Sequence, residues 1–175
     1  RLGDRVRLHV ALIDSRDGQE VWSEGYDREL ADAINLQGEL ASDIADALDA
    51  TLSSQERRDV RFQSTRNPDA YVLFLQGRKL EKNPAFEISA YKAAETLYSQ
   101  AVVVDPGFAL AHARVAITLE LLYRFWRPSE ELKARARAEA REALRLQSDL
   151  GEAHLAQGLY HYRVERDFDR ALPEL

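Results

Sequence analysis

The 175-residue sequence contains no cysteine, and none of its apolar runs approaches the roughly 20 residues that cross a bilayer. Without cysteine there is no disulfide, no thiolate metal ligand and no cysteine nucleophile. The start of the chain also lacks the charged, apolar and small-residue series of a signal peptide. The composition, with 45% apolar residues, is that of a soluble globular protein with one domain or two small ones. Because it starts at Arg1 and ends inside a helical pattern, we expect the chain to be part of a longer protein.

Positive charge is scarce in the first third of the sequence. Residues 1–62 hold eight basic and 14 acidic side chains, whereas residues 63–175 hold 16 of each. The net charge of −6 therefore lies entirely in the first part. Because non-specific nucleic-acid binding relies on cations that neutralise phosphates, this acidity disfavours a direct nucleic-acid partner.

Motifs of known catalytic chemistry are also missing. The sequence has no glycine-rich phosphate loop, no GxSxG elbow and no HExxH. Its carboxylates are scattered, and no pair of them is set apart in an apolar segment. The sequence therefore predicts neither a catalytic residue nor a cofactor.

The second half of the sequence repeats small residues at a constant distance. The pattern of residues 94–106 returns 42 residues later. The equivalent pairs are Ala94 and Ala136, Tyr98 and Ala140, Ala101 and Ala143, and Pro106 and Ser148. Further small residues interrupt apolar helical runs at Gly77, Ala116 and Gly158. Because Gly and Ala let helix backbones approach, the recurrence predicts stacked helical hairpins, and it favours a helix over a strand for Val102–Val104.

The segment from Asn67 to the end resembles tetratricopeptide repeats, helix-turn-helix units of about 34 residues with small residues at their close contacts. The pattern of residues 94–106 carries this resemblance, and "RDFDRAL" adds Phe168 and Ala171 in the expected places. Ser148 in place of proline departs from the pattern, as do two lengthened turns, "EKNPAFEIS" and "YRFWRPSEE". The resemblance implies an α-solenoid of about three hairpins, at 67–108, 109–150 and an incomplete 151–175.

Residues 6–26 have the pattern of a β-hairpin. Apolar residues alternate from Val6 to Leu12, "DSRDG" supplies a turn, and Trp22 and Tyr26 share one face of the returning strand. From about Glu29, Leu and Ile at helical spacing predict a long amphipathic helix, followed by the linker "SSQERRDVRFQSTRNPD". Because a lone hairpin is marginal in water, we expect further strands, a covering helix or a partner chain.

The run from Gly3 to Leu48 is similar to the end of the TolB-like amino-terminal domain that precedes tetratricopeptide repeats in bacterial signalling proteins. The residues that carry this likeness are Val6, Leu8, Leu12, Asp14, Gly18, Trp22, Tyr26, Asp27, Leu30, Leu36 and Gln37. The likeness implies a partial α/β domain at 1–62 and repeats at 63–175. Such proteins include adenylate cyclases, membrane-bound winged-helix transcription regulators and serine/threonine kinases, in the bacterial cytoplasm or tethered to the inner membrane. Their output domains are not in this sequence, so we expect any catalytic role to lie outside it.

Three histidines are candidate metal ligands. His112 and His154 are equivalent in successive repeats, so they should lie one repeat apart along the stack instead of converging. His161 follows His154 by seven residues, with no carboxylate at metal spacing between them. The sequence therefore predicts that these histidines are packed in the fold or partly exposed, and that they form no metal site.

A basic helix and one tryptophan are candidate binding features. The basic residues are Lys133, Arg135, Arg137, Arg141 and Arg145. Because Glu139 and Glu142 interleave with them and no aromatic residue does, a solvated outer face stabilised by local pairs is favoured over a phosphate or nucleic-acid site. Trp126 is either an exposed anchor for a partner or the cap of an elongated hairpin, and the sequence leaves both open.

The family resemblance implies a groove lined by the first helix of each unit. The residues transferred to it are Tyr71, Phe74, Arg78, Lys82, Glu120, Leu155, Tyr162 and Arg163. The lysine and asparagine set that clamps a terminal carboxylate in some family members is not matched. The groove is therefore expected to take an internal segment of a protein partner or another domain of the same protein.

These observations predict a mainly α chain: a β-hairpin and a long helix, followed by a tetratricopeptide solenoid of about three hairpins. Its expected role is non-catalytic protein interaction and regulation, with a homodimer as one outcome. A small-ligand sensor with a pocket between the hairpin domain and the first repeat is the alternative. An enzyme ranks third.

Overall fold

A computed structural model describes residues 5–29, 33–48, 64–82 and 87–175. The chain divides into two compact units, Arg1–Pro68 and Asp69–Leu175, and each is described by itself. The predicted linker falls mostly outside the described residues, so the boundary at 62–63 stays a prediction. None of the described helices is long and apolar enough to cross a membrane.

The first unit contains an antiparallel β-hairpin. Strand β1 (Arg5–Ile13) pairs with β2 (Glu20–Glu29), and Leu8 lies opposite Tyr26. In the turn, an Asp14 carboxylate oxygen accepts a hydrogen bond from the backbone N–H of Arg16 at 2.9 Å, and Gly18 adopts a φ of 72°. Aspartate favours this local hydrogen bond and glycine tolerates a positive φ, which is why "DSRDG" reverses the chain. The predicted hairpin is confirmed.

Helix α1 (Ala33–Ala47) packs beside the hairpin. The hydroxyl of Tyr26 donates a hydrogen bond to Asp43 at 2.7 Å, and Arg28 forms a 3.1 Å ion pair with Glu39. Leu36 is buried. A covering helix is one of the three supports that the sequence led us to expect for a two-stranded hairpin.

The second unit is helical along almost all of its described length. Its elements are α2 (Pro68–Glu81), α3 (Ile88–Val104), α4 (Ala109–Phe125), α5 (Glu130–Leu146), α6 (Gly151–Tyr160), a π-helical turn (His161–Glu165), α7 (Phe168–Ala171) and a 3-10 turn (Leu172–Glu174). Val102–Val104 form the last turn of α3, and Asp105 leaves helical geometry before Pro106. The mainly helical fold after an N-terminal hairpin is therefore confirmed. The repeat borders within it remain predictions.

Neighbouring helices pack as antiparallel hairpins. His112, near the start of α4, contacts Glu139 in the second half of α5, so the two helices run in opposite directions. A four-residue connection from Trp126 to Ser129 joins them, and the Ser129 side chain caps α5 by accepting a hydrogen bond from the N–H of Leu132. The lengthened turn seen in the sequence is thus largely the extended ends of two helices.

Small residues occupy the helix contacts, as predicted. Six alanines and two glycines of the recurring pattern are buried: Ala94, Ala101, Ala116, Ala136, Ala140, Ala143, Gly77 and Gly158. A Cβ at Gly77 would come within 2.6 Å of the Tyr98 ring, so the side chain of Tyr98 lies directly on the α2 backbone. The Phe74 ring contacts the rings of Tyr98 and Phe108 at centroid distances of 5.5 and 5.1 Å, both tilted by 47°, and the three form the aromatic part of the core. This packing sets which residues of the first helices reach the surface.

Candidate functional site

The predicted groove residues of α2 differ in exposure. Phe74 is buried in the aromatic core, whereas Tyr71 and Arg78 are partly exposed and Lys82, just after the helix, is exposed. The Tyr71 and Phe74 rings stack with their centroids 6.4 Å apart. A partner on this face would therefore contact Tyr71 and Arg78, while Phe74 supports them from below.

The remaining groove residues come from α4, α6 and the π-helical turn. Leu155 is 37% exposed and Tyr162 is 50% exposed, whereas Glu120 is completely buried. Arg163 is partly buried, and its Nη1 lies 3.8 Å from an oxygen of Glu120. The structure thus brings Glu120 and Arg163 together below the surface, and it leaves Leu155 and Tyr162 facing outward.

A polar cluster that the sequence did not reveal connects α2, α3 and α4. The hydroxyl of Tyr98 donates a hydrogen bond to Glu81 at 2.7 Å. The Thr118 hydroxyl donates to the carbonyl oxygen of Arg114 at 2.7 Å and lies 3.4 Å from the other Glu81 oxygen. Arg114 forms a 3.8 Å ion pair with the same carboxylate. Burial, and then the negative charge of Glu81, raise the pKa of Tyr98 above its ordinary value. The cluster holds the first helices of two successive hairpins together through one carboxylate.

Glu120 is an unusual group for a protein interior. Among the described residues, neither of its carboxylate oxygens has a hydrogen-bond partner, and Nη1 of Arg163 has none either. Burial raises the pKa of Glu120 well above its ordinary value, and the charge of Arg163 opposes this only in part. Because the ionised form of Glu120 is disfavoured, this carboxylate compensates little of the positive charge of Arg163.

Arg163 and Tyr162 line a cleft of about 300 Å³ at one end of the hairpins, here called the arginine cleft. Its other lining residues are Arg124, from the last turn of α4, and Arg166 and Phe168 from the segment after the π-helical turn. Of the described residues, none with an acidic side chain lines this cleft. The sequence interpretation missed Arg124 and Arg166, although they are 42 residues apart, the same distance as the small-residue repeat.

His112 is held by two hydrogen-bond acceptors. Its Nδ1 lies 2.5 Å from a carboxylate oxygen of Glu139, and its Nε2 lies 3.1 Å from the carbonyl oxygen of Pro106. Burial disfavours the charged ring, but the hydrogen bonds to Glu139 and Pro106 outweigh it, and the net effect raises the pKa of His112. The imidazolium form, which donates from both nitrogens, fits this site best.

His154 repeats the arrangement one hairpin later. Its Nδ1 lies 2.6 Å from Glu174, its Nε2 lies 2.9 Å from the carbonyl oxygen of Ser148, and these hydrogen bonds raise its pKa. His161 has its own carboxylate, Glu165, at 2.7 Å. Each of these three histidines thus has a separate carboxylate partner. Within the described parts of the chain, no group of three or more His, Asp or Glu side chains could hold a metal ion.

The basic residues of α5 are paired or exposed. Arg145 forms an ion pair with Glu142 at 2.6 Å, and Arg135 reaches across to Glu95 on α3 at 2.8 Å. Arg137 and Arg141 are exposed and line a shallow cleft of about 330 Å³ with Tyr160. Most of this face is therefore a solvated surface, and Arg135 links two helices.

Trp126 lies at the end of α4 and is 49% exposed. The ammonium of Lys92 sits 3.2 Å from the centroid of its ring, a cation–π contact that joins α3 to the α4–α5 turn. The ring therefore caps the hairpin on one side and remains accessible on the other.

Comparisons with known proteins give one partial match. No protein-family model matches the chain. Over 119 residues it is 32% identical to a protein of Rhizobium meliloti (strain 1021) named "Putative adenylate cyclase 3". The aligned region covers 67% of this chain and 20% of that protein, so the match spans about a fifth of its relative.

Proposed function

We propose that the chain is a non-catalytic interaction and regulatory module of a larger bacterial signalling protein, built from tetratricopeptide-type hairpins. The observation that carries the proposal is the alignment with a fifth of a protein named as an adenylate cyclase. A chain with helical hairpins in its second unit and without a known catalytic motif suits a part that binds or positions other domains.

The accessible residues of the first helices support this proposal. Leu155 and Tyr162 are seven residues apart, which places them on one side of the helical segment, and both are substantially exposed. Tyr71 and Arg78 have the same spacing on α2. Exposed aromatic and arginine side chains on a rigid helix are typical of binding hot spots.

The first unit enters the proposal through its resemblance to the end of a TolB-like domain. In proteins of that kind such a domain precedes the repeats and an output domain is present elsewhere in the chain. We infer that the same order applies here, with a cyclase, kinase or DNA-binding domain as the regulated part.

Site-specific photo-crosslinking tests the interaction role. A photo-crosslinking amino acid would replace Leu155 in one variant and Glu131, an exposed residue of α5, in the control. We expect a discrete crosslinked protein from the Leu155 variant in bacterial cells and none from the Glu131 variant. Equal crosslinking at both positions, or none at either, would contradict a partner groove on the first helices.

A further inference from the structure

Three arginines converge on the arginine cleft from two successive hairpins. Arg124 ends α4, Arg163 lies in the π-helical turn, and Arg166 follows that turn. Arg166 has a positive φ of 58°, an uncommon conformation for a residue with a Cβ. This left-handed residue ends the π-helical turn, and the backbone N–H of the next residue, Asp167, closes the turn by donating to the carbonyl oxygen of His161 at 2.9 Å.

The acidic residues beside the cleft are engaged elsewhere. Glu165 accepts hydrogen bonds from His161 at 2.7 Å and from Arg170 at 2.8 Å. Asp167 is bound to Arg170 at 2.6 Å. In the described part of the chain, no carboxylate forms an ion pair with Arg124 or Arg166. Arg170 is thus shared by the two carboxylates and draws both of them toward itself, and the charges of Arg124 and Arg166 are left for an external anion.

The charge of Arg163 is also available. Its carboxylate neighbour, Glu120, is 3.8 Å away, beyond hydrogen-bond distance, and buried where the ionised form is disfavoured. The Nη1 that faces Glu120 is itself buried, so a carboxylate from solvent would meet the part of the Arg163 side chain that lines the cleft.

Two aromatic rings flank the arginines. Tyr162 and Phe168 meet edge to face with centroids 5.7 Å apart, and both remain half exposed. Rings exposed in this way are a platform for an apolar or aromatic side chain. Arginine and aromatic residues together are the composition of protein-binding hot spots.

Helix dipoles explain only part of the charge. Arg124 and Arg163 occupy last turns, where a cation stabilises the helix end. Arg166 lies beyond the helix, and the dipole does not account for the adjacent rings. The grouping of all three cations around one cavity therefore needs a further reason.

We propose that the arginine cleft binds an acidic segment of a protein partner, with Asp or Glu carboxylates on the three arginines and an apolar side chain against Tyr162 and Phe168. This inference rests on the proposed function and names the partner's chemistry. The charge complementarity of the three arginines and the apolar surface of the two adjoining rings favour a protein segment of this kind.

Fluorescence anisotropy of the full chain tests the proposal. The probe is a short labelled peptide of Glu, Asp, Tyr and Leu, titrated at about 50 mM and about 150 mM NaCl because salt screens exposed charges. Its control replaces every Glu and Asp by Gln and Asn. We expect binding of the acidic peptide that weakens with salt, and roughly tenfold weaker binding by the Arg124→Glu/Arg166→Glu variant.

The matched protein control is Arg137→Glu/Arg141→Glu, which makes the same charge change on exposed positions of α5. It should retain the wild-type affinity. An equal loss in both double variants would assign binding to net charge and overturn the proposal, as would no binding by the wild type or tighter binding of a short single-stranded oligonucleotide. Arg124→Gln/Arg166→Gln replaces the first variant if circular dichroism shows it unfolded.

The two proposals fail separately. If the acidic peptide does not bind but Leu155 still gives a discrete crosslink, the interaction role would stand and only the acidic partner would be rejected. If Leu155 gives no crosslink but the acidic peptide still binds and depends on the cleft arginines, the anion site would stand and the partner groove would be rejected.

Discussion

Glu120 is costly where it stands, because its carboxylate has lost water and gained only a distant arginine. A buried polar group without a hydrogen bond costs about 1–3 kcal/mol. Its raised pKa means that the native state binds a proton more readily than the unfolded state does. Above the ordinary value of 4.5, the unfolded state loses that proton first, so stability falls as pH rises.

Glu120→Gln should therefore stabilise the protein at neutral pH. Glutamine keeps the shape of the side chain and does not ionise, so we expect a gain of about 1 kcal/mol near pH 7.5. The gain should shrink as the pH falls toward 4.5 and disappear well below it, where wild-type Glu120 is protonated in both states. Urea unfolding at both pH values measures it. A variant that is less stable near neutral pH would mean that the pair with Arg163 outweighs the loss of hydration.

His112 gives a linkage of the same sign, although here it is the charged form of the side chain that folding favours. With a pKa above the ordinary 6.5, His112 contributes stability that is fully present below that value and is lost as pH rises through the folded pKa. His112→Gln should cost about 1 kcal/mol near pH 6 and less near pH 9.

His154→Gln is the matched comparison for that series. The side chain of His154 is 43% exposed, against 8% for His112, so solvent screening should make its effect smaller. Thermal unfolding followed across the same pH range measures both variants. A cost for His112→Gln that does not change with pH would remove the imidazolium assignment.

At the scale of elements, the close approach of α2 and α3 depends on a missing side chain. The Tyr98 ring covers Gly77 so closely that any Cβ would overlap it, and Tyr98 is fixed at its other end by Glu81. The two helices can separate only by breaking that hydrogen bond. A hairpin of this kind resists even the smallest increase in volume.

Gly77→Ala should destabilise the protein by about 1–3 kcal/mol, although alanine is the better helix former. Gly151→Ala is the control, because a Cβ there meets nothing within 4 Å. We expect the control to change stability by less than about 0.5 kcal/mol, since it stands at the first position of α6. Chemical denaturation compares the two, and equal stabilities would show that Tyr98 moves aside without cost.

At the scale of the whole molecule, the chain joins two units of different construction. The described sheet has two strands, and each has one edge without a ladder partner among the described residues. Exposed apolar residues such as Val21 lie on the strands of this sheet. Edges of this kind pair readily with another chain.

We expect the protein to dimerise with increasing concentration, through the open hairpin edge. Sedimentation velocity over a concentration series should show a shift from monomer to dimer. Val21→Lys, which places a charge on the edge, should weaken that shift. A monomer at the highest concentration, in the wild type, would count against the prediction.

Local patterns were sufficient to predict the elements. The hairpin from Val6 to Tyr26 follows from alternation and a turn motif, and α3 follows from the spacing of Ala94, Tyr98 and Ala101. The valines before Pro106 show why the repeat mattered, because their intrinsic preference is for strands and packing overrides it. Periods of two and 3.6 residues are written in the chain itself, so one sequence is enough to detect them.

The exposure of individual side chains and the ion pairs between them could not be predicted from these local patterns. Phe74 and Glu120 share a predicted face with Tyr71 and Leu155, yet the first two are buried and the others are accessible. Burial depends on how deeply a neighbouring helix sits, and that depth is set by contacts between residues far apart in sequence.

The chain's order of residues is thus enough to specify a hairpin, its helix, the later helices and the small residues at their contacts. The folded packing alone determines that Glu120 faces Arg163 and that Arg124 joins Arg166 around one cleft. Secondary structure follows from neighbours within a few positions, whereas the electrostatics of a site follow from distances in space. Those distances exist only after the hairpins have stacked.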